Sequence, residues 1–344
     1  MRALQYQEYD GPLRTVELDE PACPADGVLV AVGATGVCRS DWHAWRGHDP
    51  VVLPHVPGHE FAGTVTAVGP EVTGWAVGDR VTAPFVLGCG ICEYCLAGDP
   101  QVCPDQQQPG FTYAGSFADR VAVPHVATNL VALPDEISFA TAASLGCRFA
   151  TAFRALTGHG GLGPGQWLAV HGCGGVGLSA ILIGVALGAQ VVAVDTNPAA
   201  RDLAVELGAA VVVDPGVVGD TAAAVHDLTG GGAHVSIDAI GHPAVAAASV
   251  RSLRRRGRHV QVGLLLGENA MTALPMDRVV AWELSVHGSH GMAAADYPAM
   301  LALIASGRLD PGRLVRRTLP LSEAEGILAE LDGTPGPGIT VLIP

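Results

Sequence analysis

The chain is predicted to be an α/β protein in two parts, a β-rich first domain and a doubly wound parallel-sheet second domain. Three observations carry this. Up to about residue 135, short β-branched runs are separated by Gly, Pro and Asp. From about residue 165, non-alternating apolar runs alternate with helical stretches. A glycine-rich turn, Gly172-Cys-Gly-Gly-Val-Gly177, follows the first of those runs. A length of 344 residues at 49 % hydrophobic content is long for one core and sufficient for two.

In the first part, Gly27–Gly33, Phe61–Gly69 and Arg80–Pro84 read as strands bounded by turn residues. Between them lie Gly36-Val-Cys-Arg-Ser-Asp-Trp-His43 and Pro57-Gly-His-Glu60. Cys38 and His59 are a soft thiolate and an imidazole, ligand types that suit Zn²⁺. They are too far apart in sequence for a compact finger and suit a site assembled across a fold. A catalytic zinc takes a third protein ligand and keeps a fourth position open. Cys147, in Leu145-Gly-Cys-Arg-Phe-Ala-Thr151, supplies that third ligand.

The next segment, Gly88–Cys103, carries Cys89, Cys92, Cys95 and Cys103. Two-residue gaps let successive thiolates turn back on one ion, and four thiolates close a tetrahedral shell, so a structural zinc is expected. The remaining cysteines, Cys23 and Cys173, are expected to be free thiols outside the metal sites.

In the second part the expected strands are Trp167–Val170, Val191–Asp195, Val211–Val213, Val235–Asp238, His259–Val262 and Leu284–His287. The expected helices between them are Leu178–Gly188, Pro198–Gly208, Thr221–Thr229 and Pro243–Gly257, with Pro near the start and Gly past the end. Arg254, Arg255, Arg256 and Arg258 are expected to close the last of these helices. Gly172, Gly174 and Gly177 form G-x-G-x-x-G after a strand and at the opening of a helix, where a pyrophosphate can sit on the helix N-terminus. Gly175 and Val176 complete that turn. Asp195, at the end of the next strand, can accept the ribose hydroxyls of NAD and would repel a 2′-phosphate. Its alternative use is as a cap for the helix opening at Pro198. The tail from 288 to 344 is expected to rejoin the first domain, giving divisions at 1–149, 150–287 and 288–344.

Composition excludes several classes. A formal charge of −14 argues against nucleic acid and anionic membranes as partners. No apolar run approaches the ~18–20 residues of a membrane span, and the first ten residues hold no signal-peptide core. A cytoplasmic location is therefore expected, where clustered cysteines bind metal in preference to forming disulfides. All 19 basic residues are Arg. Without Lys there is no Schiff-base chemistry and no P-loop.

Together these motifs resemble the zinc-dependent medium-chain alcohol dehydrogenases over essentially the whole chain. The resemblance implies a GroES-like catalytic domain, a Rossmann domain and an active-site cleft between them. It implies that Cys38, His59 and Cys147 hold catalytic zinc with Glu60 close behind. It gives Ser40 as the hydroxyl that receives the alcohol proton and His43 as the base beyond it, with Asp41 hydrogen-bonding His59. It further implies Phe85 in the substrate pocket, and Thr151 and Val262 near the nicotinamide. The cysteine spacing is similar to that of the yeast-type and bacterial tetrameric branch, so a homotetramer is expected, with a dimer as the alternative. The basic residue that many relatives carry near the C-terminus is missing from Gly338–Leu342, which leaves phosphate charge to Arg39 and the glycine turn. Phe85, Trp45 and Leu264 point to an apolar pocket, the alternative being that Trp45 and Leu264 are ordinary core. The expected reaction is reversible oxidation of an alcohol by NAD. A polyol dehydrogenase of the same architecture is the alternative, and Cys147 in place of an acid speaks against it. A non-catalytic NAD-binding protein would have no need of Cys38, Ser40, His43, His59 and Cys147 together.

Overall fold

The computed structural model describes residues 1–333 and 336–344. All six strands expected in the second half form, as one parallel sheet: Trp167–His171, Gln190–Val194, Val211–Val213, Ala233–Asp238, Leu253–Gln261 and Ser285–Gly288. Across the sheet they run third, second, first, fourth, fifth, sixth. The order reverses between Trp167–His171 and Ala233–Asp238, and a doubly wound sheet binds its ligand in the crevice beyond the strand ends at such a reversal. The inner strands are buried on both faces, which is why their apolar residues run without alternation. Helices Gly175–Ala186, Pro198–Glu206, Thr221–Thr229 and Pro243–Arg251 provide the crossovers. Three carry side-chain caps: Asn197 accepts from the Ala199 N–H, Asp220 from Ala223, and His242 from Ala244.

The arginine run departs from expectation. The helix stops at Arg251, and Arg254, Arg255, Arg256 and Arg258 lie in the strand Leu253–Gln261. Leu253 is fully buried in the sheet, which commits the chain to extended backbone there. Each guanidinium then finds its own neighbour. Arg254 reaches His234 at 2.9 Å, Arg256 pairs with Glu283 at 3.0 Å, Arg255 lies over the Trp282 ring, and Arg258 donates to the His159 carbonyl.

The first half builds a seven-stranded mixed sheet around Val28–Val37. Glu60–Val68 pairs antiparallel on one side, followed by Arg80–Thr82 and Val131–Ala132. Arg120–Val123 pairs with the early half of Val28–Val37, and Ile339–Ile343 pairs antiparallel with its late half. Val315–Pro320 then runs parallel to Ile339–Ile343. The chain beyond the parallel sheet thus returns to the strand that leads into Cys38. One apolar cluster links the two sheets, from Ala34 and Ala62 through Leu145, Phe149 and Leu156 to Leu168, Val170 and Ile237. Burying a side chain the size of Phe149 contributes roughly 1.5–3 kcal/mol, so this helical connection holds the two sheets as well as joining them. Among the described residues no helix is long and apolar enough to cross a membrane.

Candidate active site and metal centres

Cys89, Cys92, Cys95 and Cys103 bring their four Sγ atoms within 4.8 Å of one another. The Cys92 and Cys103 sulfurs are 3.7 Å apart. A tetrahedral shell with metal–sulfur bonds of ~2.3 Å has edges of about 3.8 Å, so the spacing fits a zinc ion. Backbone N–H groups of Ile91 and Cys92 draw the Cys89 thiol down to about 7, while burial pushes Cys95 up to about 12. Four thiolates so close repel one another, and a divalent cation is what lets them coexist.

The second centre is built by a strand, a helix and a tight turn. Val28–Val37 delivers Cys38 as the N-cap of the helix Arg39–Trp45. Asp41, fully buried, ties the parts together. Its Oδ2 accepts from the Cys38 N–H at 2.9 Å, and its Oδ1 accepts from the Gly58 N–H at 3.1 Å and lies 2.9 Å from His59 Nδ1. That last contact holds a proton on Nδ1, so Nε2 is the nitrogen that a metal would take, displacing any proton there. The Nε2 atom is buried without a partner. Cys147 arrives on a π-helical turn, Leu145–Phe149, a distortion often found at functional sites. One ligand atom each from Cys38, His59, Glu60 and Cys147 lie within 4.8 Å of one another. An orphaned imidazole nitrogen facing two thiols is the donor set of a zinc site with one open position.

The charges agree. The hydrogen bond from Cys147 overcomes burial and holds the Cys38 thiol well below its usual range, while the same bond and burial hold Cys147 well above. The pair therefore shares one proton, and a cation would release it. Burial pushes His59 down, but the Asp41 carboxylate and the Cys38 sulfur outweigh it and hold it well above the usual range.

Cys38 and Cys147 line a cleft of about 1350 Å³ shared by both halves of the chain, with His59 and Glu60 buried behind them. Ser40 and His43 lie on it, three residues apart and so on one face of the helix Arg39–Trp45. The Ser40 hydroxyl is 3.8 Å from Cys38 Sγ. Burial, then the His48 and Arg39 charges, push His43 below its ordinary pKa. Phe85 lies edge-on to His59 and to His290. Thr151 and Val262 line the same cleft.

Opposite stands the glycine turn. Gly172, Gly174, Gly175 and Val176 face the cleft. A Cβ on Gly177 would lie 1.7 Å from the Gly172 carbonyl oxygen, so only glycine fits there. The helix Gly175–Ala186 has no side-chain cap and no acid in its first turn, leaving its opening N–H groups for an anion. Asp195 also lines the cleft and accepts the Cys173 N–H at 2.6 Å and the Asn197 N–H at 2.8 Å, with lone pairs to spare. Arg39 lines it too, stacked on Trp42 at 4.5 Å and donating to the Leu331 carbonyl.

Two features differ from the sequence reading. Trp45 is not part of the pocket; it is buried in the first domain's core and donates its indole N–H to the Gly11 carbonyl at 2.6 Å. Leu264 does line the cleft. The residue that sequence reasoning missed is Arg148. It is buried, donates to Glu60 from its backbone N–H at 3.1 Å, from Nε at 3.0 Å and from Nη2, and lies against Gly175 of the glycine turn. It thus spans the metal cluster and the helix opening. Its signal in the sequence was a charge beside a ligand in an otherwise apolar stretch, a position that needs a buried partner. Arg316 and Arg317 also reach the cleft from the strand beside Ile339–Ile343, paired with Glu206 and Glu330.

With this geometry in view, the kinship of the chain is plain. Residues 24–135 match the family described as the alcohol dehydrogenase GroES-like domain, and residues 175–306 the zinc-binding dehydrogenase family. An alcohol dehydrogenase of Geobacillus stearothermophilus is 39 % identical over 77 % of this chain and 78 % of its own. A second from the same species is 33 % identical over 96 % of each chain. The solved structure of the alcohol dehydrogenase TADH from Thermus sp. ATN1 superposes with a TM-score of 0.92 at 31 % identity, covering 100 % of this chain and 99 % of that one. The chain belongs to the medium-chain, zinc-binding alcohol dehydrogenase family, a GroES-like domain joined to a Rossmann-type parallel sheet.

Proposed function

We propose that the chain is an NAD-dependent alcohol dehydrogenase that reversibly oxidises an alcohol to an aldehyde or ketone. The observation that carries this is the cluster of Cys38, His59 and Cys147, two of whose members, Cys38 and Cys147, open on one cleft with the glycine turn and Asp195. Cys38, His59 and Cys147 would hold one zinc, and Cys89, Cys92, Cys95 and Cys103 a second. Zinc would supply Lewis acidity at the substrate oxygen, and NAD would supply the hydride-accepting ring.

The chain's own residues do the rest. Asp41 fixes the tautomer of His59. The Ser40 hydroxyl, beside Cys38, both accepts and donates a proton and takes the one the alcohol releases. His43, one helical turn on, receives it as a neutral imidazole; the gap of ~5–6 Å between such positions is one a single hydroxyl or water bridges. Glu60 with Arg148 holds charge balance behind the centre. Arg148, Arg39 and the helix opening present positive charge to the cofactor phosphates, and Asp195 selects NAD over NADP. Phe85 makes the substrate wall apolar. We also infer a homotetramer of the yeast-type and bacterial branch, acting in the cytoplasm.

The test is a panel of primary, secondary, aromatic and polyhydroxy alcohols with both cofactors, run beside Ser40→Ala. The variant should lose alcohol oxidation severely while keeping zinc and NAD binding. Activity confined to polyols, or none with any alcohol in the zinc-loaded protein, would overturn the reading.

A further inference from the structure

The helix that carries Ser40 and His43 ends at Trp45, and the chain then doubles back. Gly47 takes φ +71°, a left-handed conformation suited to glycine, and the His48 N–H donates to the His43 carbonyl at 2.9 Å. This turn seats the exposed His48 ring beside the half-buried His43 ring, with Nδ1 of each 3.2 Å from the other. Trp42 packs edge-on against both, at 5.0 Å from His43 and 5.4 Å from His48, and so holds their orientation.

We propose that His48 is the outer member of the proton exit, taking from His43 Nδ1 the charge that His43 receives at Nε2 and releasing it to solvent. This rests on the reading of Ser40 and His43 given above. Two nitrogens at hydrogen-bond distance need one N–H and one lone pair, so the neutral pair holds a single proton between its Nδ1 atoms. With Nδ1 of His43 committed to His48, Nε2 is its free nitrogen.

The step balances without any added reagent. A proton binds His43 Nε2. The His43 Nδ1–H bond breaks as the His48 Nδ1–H bond forms, and the His48 Nε2–H bond then gives its proton to water. Both rings end neutral, with the tautomers exchanged, and reset by exchange with solvent. The charged groups around the pair favour outward passage. Arg39 and Arg46 stack on the same Trp42 at 4.5 and 5.7 Å and disfavour a resident imidazolium. Cys38 and Asp49 act the other way on His43, but burial, His48 and Arg39 outweigh them.

The test compares His48→Gln, His43→Gln and the native protein, all zinc-loaded, with NAD⁺ and benzyl alcohol. Proton release is followed by indicator dye in weak buffer near neutral pH, and then with added glycinamide. Glutamine keeps a hydrogen-bonding partner for His43 but cannot pass a proton. His48→Gln is expected to slow release by about 3- to 10-fold, below the ~10²-fold floor of a primary acid–base group, and glycinamide should restore it. Histidine ¹⁵N spectra of the resting protein provide a readout that does not depend on turnover. Native His43 and His48 should show opposite tautomers, and His43 in His48→Gln should titrate at higher pH than in the native protein. If His43→Gln is slow but His48→Gln is native and indifferent to buffer, His48 is excluded while the inner relay stands. If both variants release protons at the native rate, the inner relay fails and this proposal with it. A His48→Gln that is slow yet unresponsive to glycinamide, with the His43 tautomer changed, makes His48 a structural residue and overturns the proposal.

Discussion

Replacing Arg148 with Met removes a cation of similar reach from the Glu60 carboxylate. Glu60 is fully buried and Arg148 is 8 % exposed. The substitution deletes both guanidinium contacts and leaves only the backbone N–H at 3.1 Å. Removing one partner of a buried ion pair costs about 3–5 kcal/mol, because the other charge stays behind unpaired. At ~2.1 cal/mol/K of unfolding entropy per residue, a chain of this length loses roughly 4–7 °C of Tm if it unfolds as one unit. Adding Glu60→Gln to Arg148→Met should recover most of that loss, since the orphaned charge is gone; removing both partners is often near neutral. The assay is scanning calorimetry of the four proteins of this cycle, with zinc content checked in each. An Arg148→Met protein that melts with the native one, or a double variant that melts at the sum of the single losses, would refute the coupling.

Three further outcomes are expected. Metal analysis should find two zinc ions per chain, and Cys38→Ser should lose one while the four-cysteine lobe stays filled; a single zinc in the fully active native protein would contradict the two-centre reading. Asp195→Ala should relax the preference for NAD⁺ and also loosen the glycine turn, because its carboxylate accepts the Cys173 and Asn197 N–H groups; equal kcat/KM for NAD⁺ and NADP⁺ in the native protein would remove Asp195 from cofactor selection. Burial, His48 and Arg39 depress the pKa of His43, so its neutral, proton-accepting form persists below pH ~6.5. The acid limb of kcat/KM for alcohol oxidation should accordingly fall below that value, and an acid limb above it, unchanged in His43→Ala, would show that another group sets the profile.

The parts of this fold that were legible in the sequence are those with a local rule. Strands buried on both faces announce themselves as short apolar runs, and Trp167–His171, Gln190–Val194 and Ala233–Asp238 follow that rule. The glycine turn was legible because Gly177 admits no other residue against the Gly172 carbonyl. The four-cysteine lobe was legible because its chelation is local. The features that escaped depend on partners far along the chain. Arg148 meets Glu60 across 88 residues, and nothing near either reveals the other. The arginine run reads as a helix end by composition, yet Leu253 fixes it in the sheet and each guanidinium is satisfied by a different distant neighbour. Trp45 reads equally well as pocket or core, and only the Gly11 carbonyl waiting for its indole N–H separates the two.

The pairing of Ile339–Ile343 with the late half of Val28–Val37 has a bearing on biosynthesis. The parallel sheet draws all its strands from one contiguous stretch, so it can form while translation continues. The strand leading to Cys38 is made early and pairs with Glu60–Val68 on one side, but its other side at Thr35, Gly36 and Val37 stays open until Thr340, Val341 and Leu342 have been made. Contacts this distant along the chain form late. Zinc capture by Cys38, His59 and Cys147 is therefore expected to follow synthesis of Ile339–Ile343, whereas the four-cysteine lobe can take its ion much earlier on the nascent polypeptide. Metal scarcity during translation would then yield molecules with a filled lobe and an empty catalytic centre, ready to be activated by zinc supplied later.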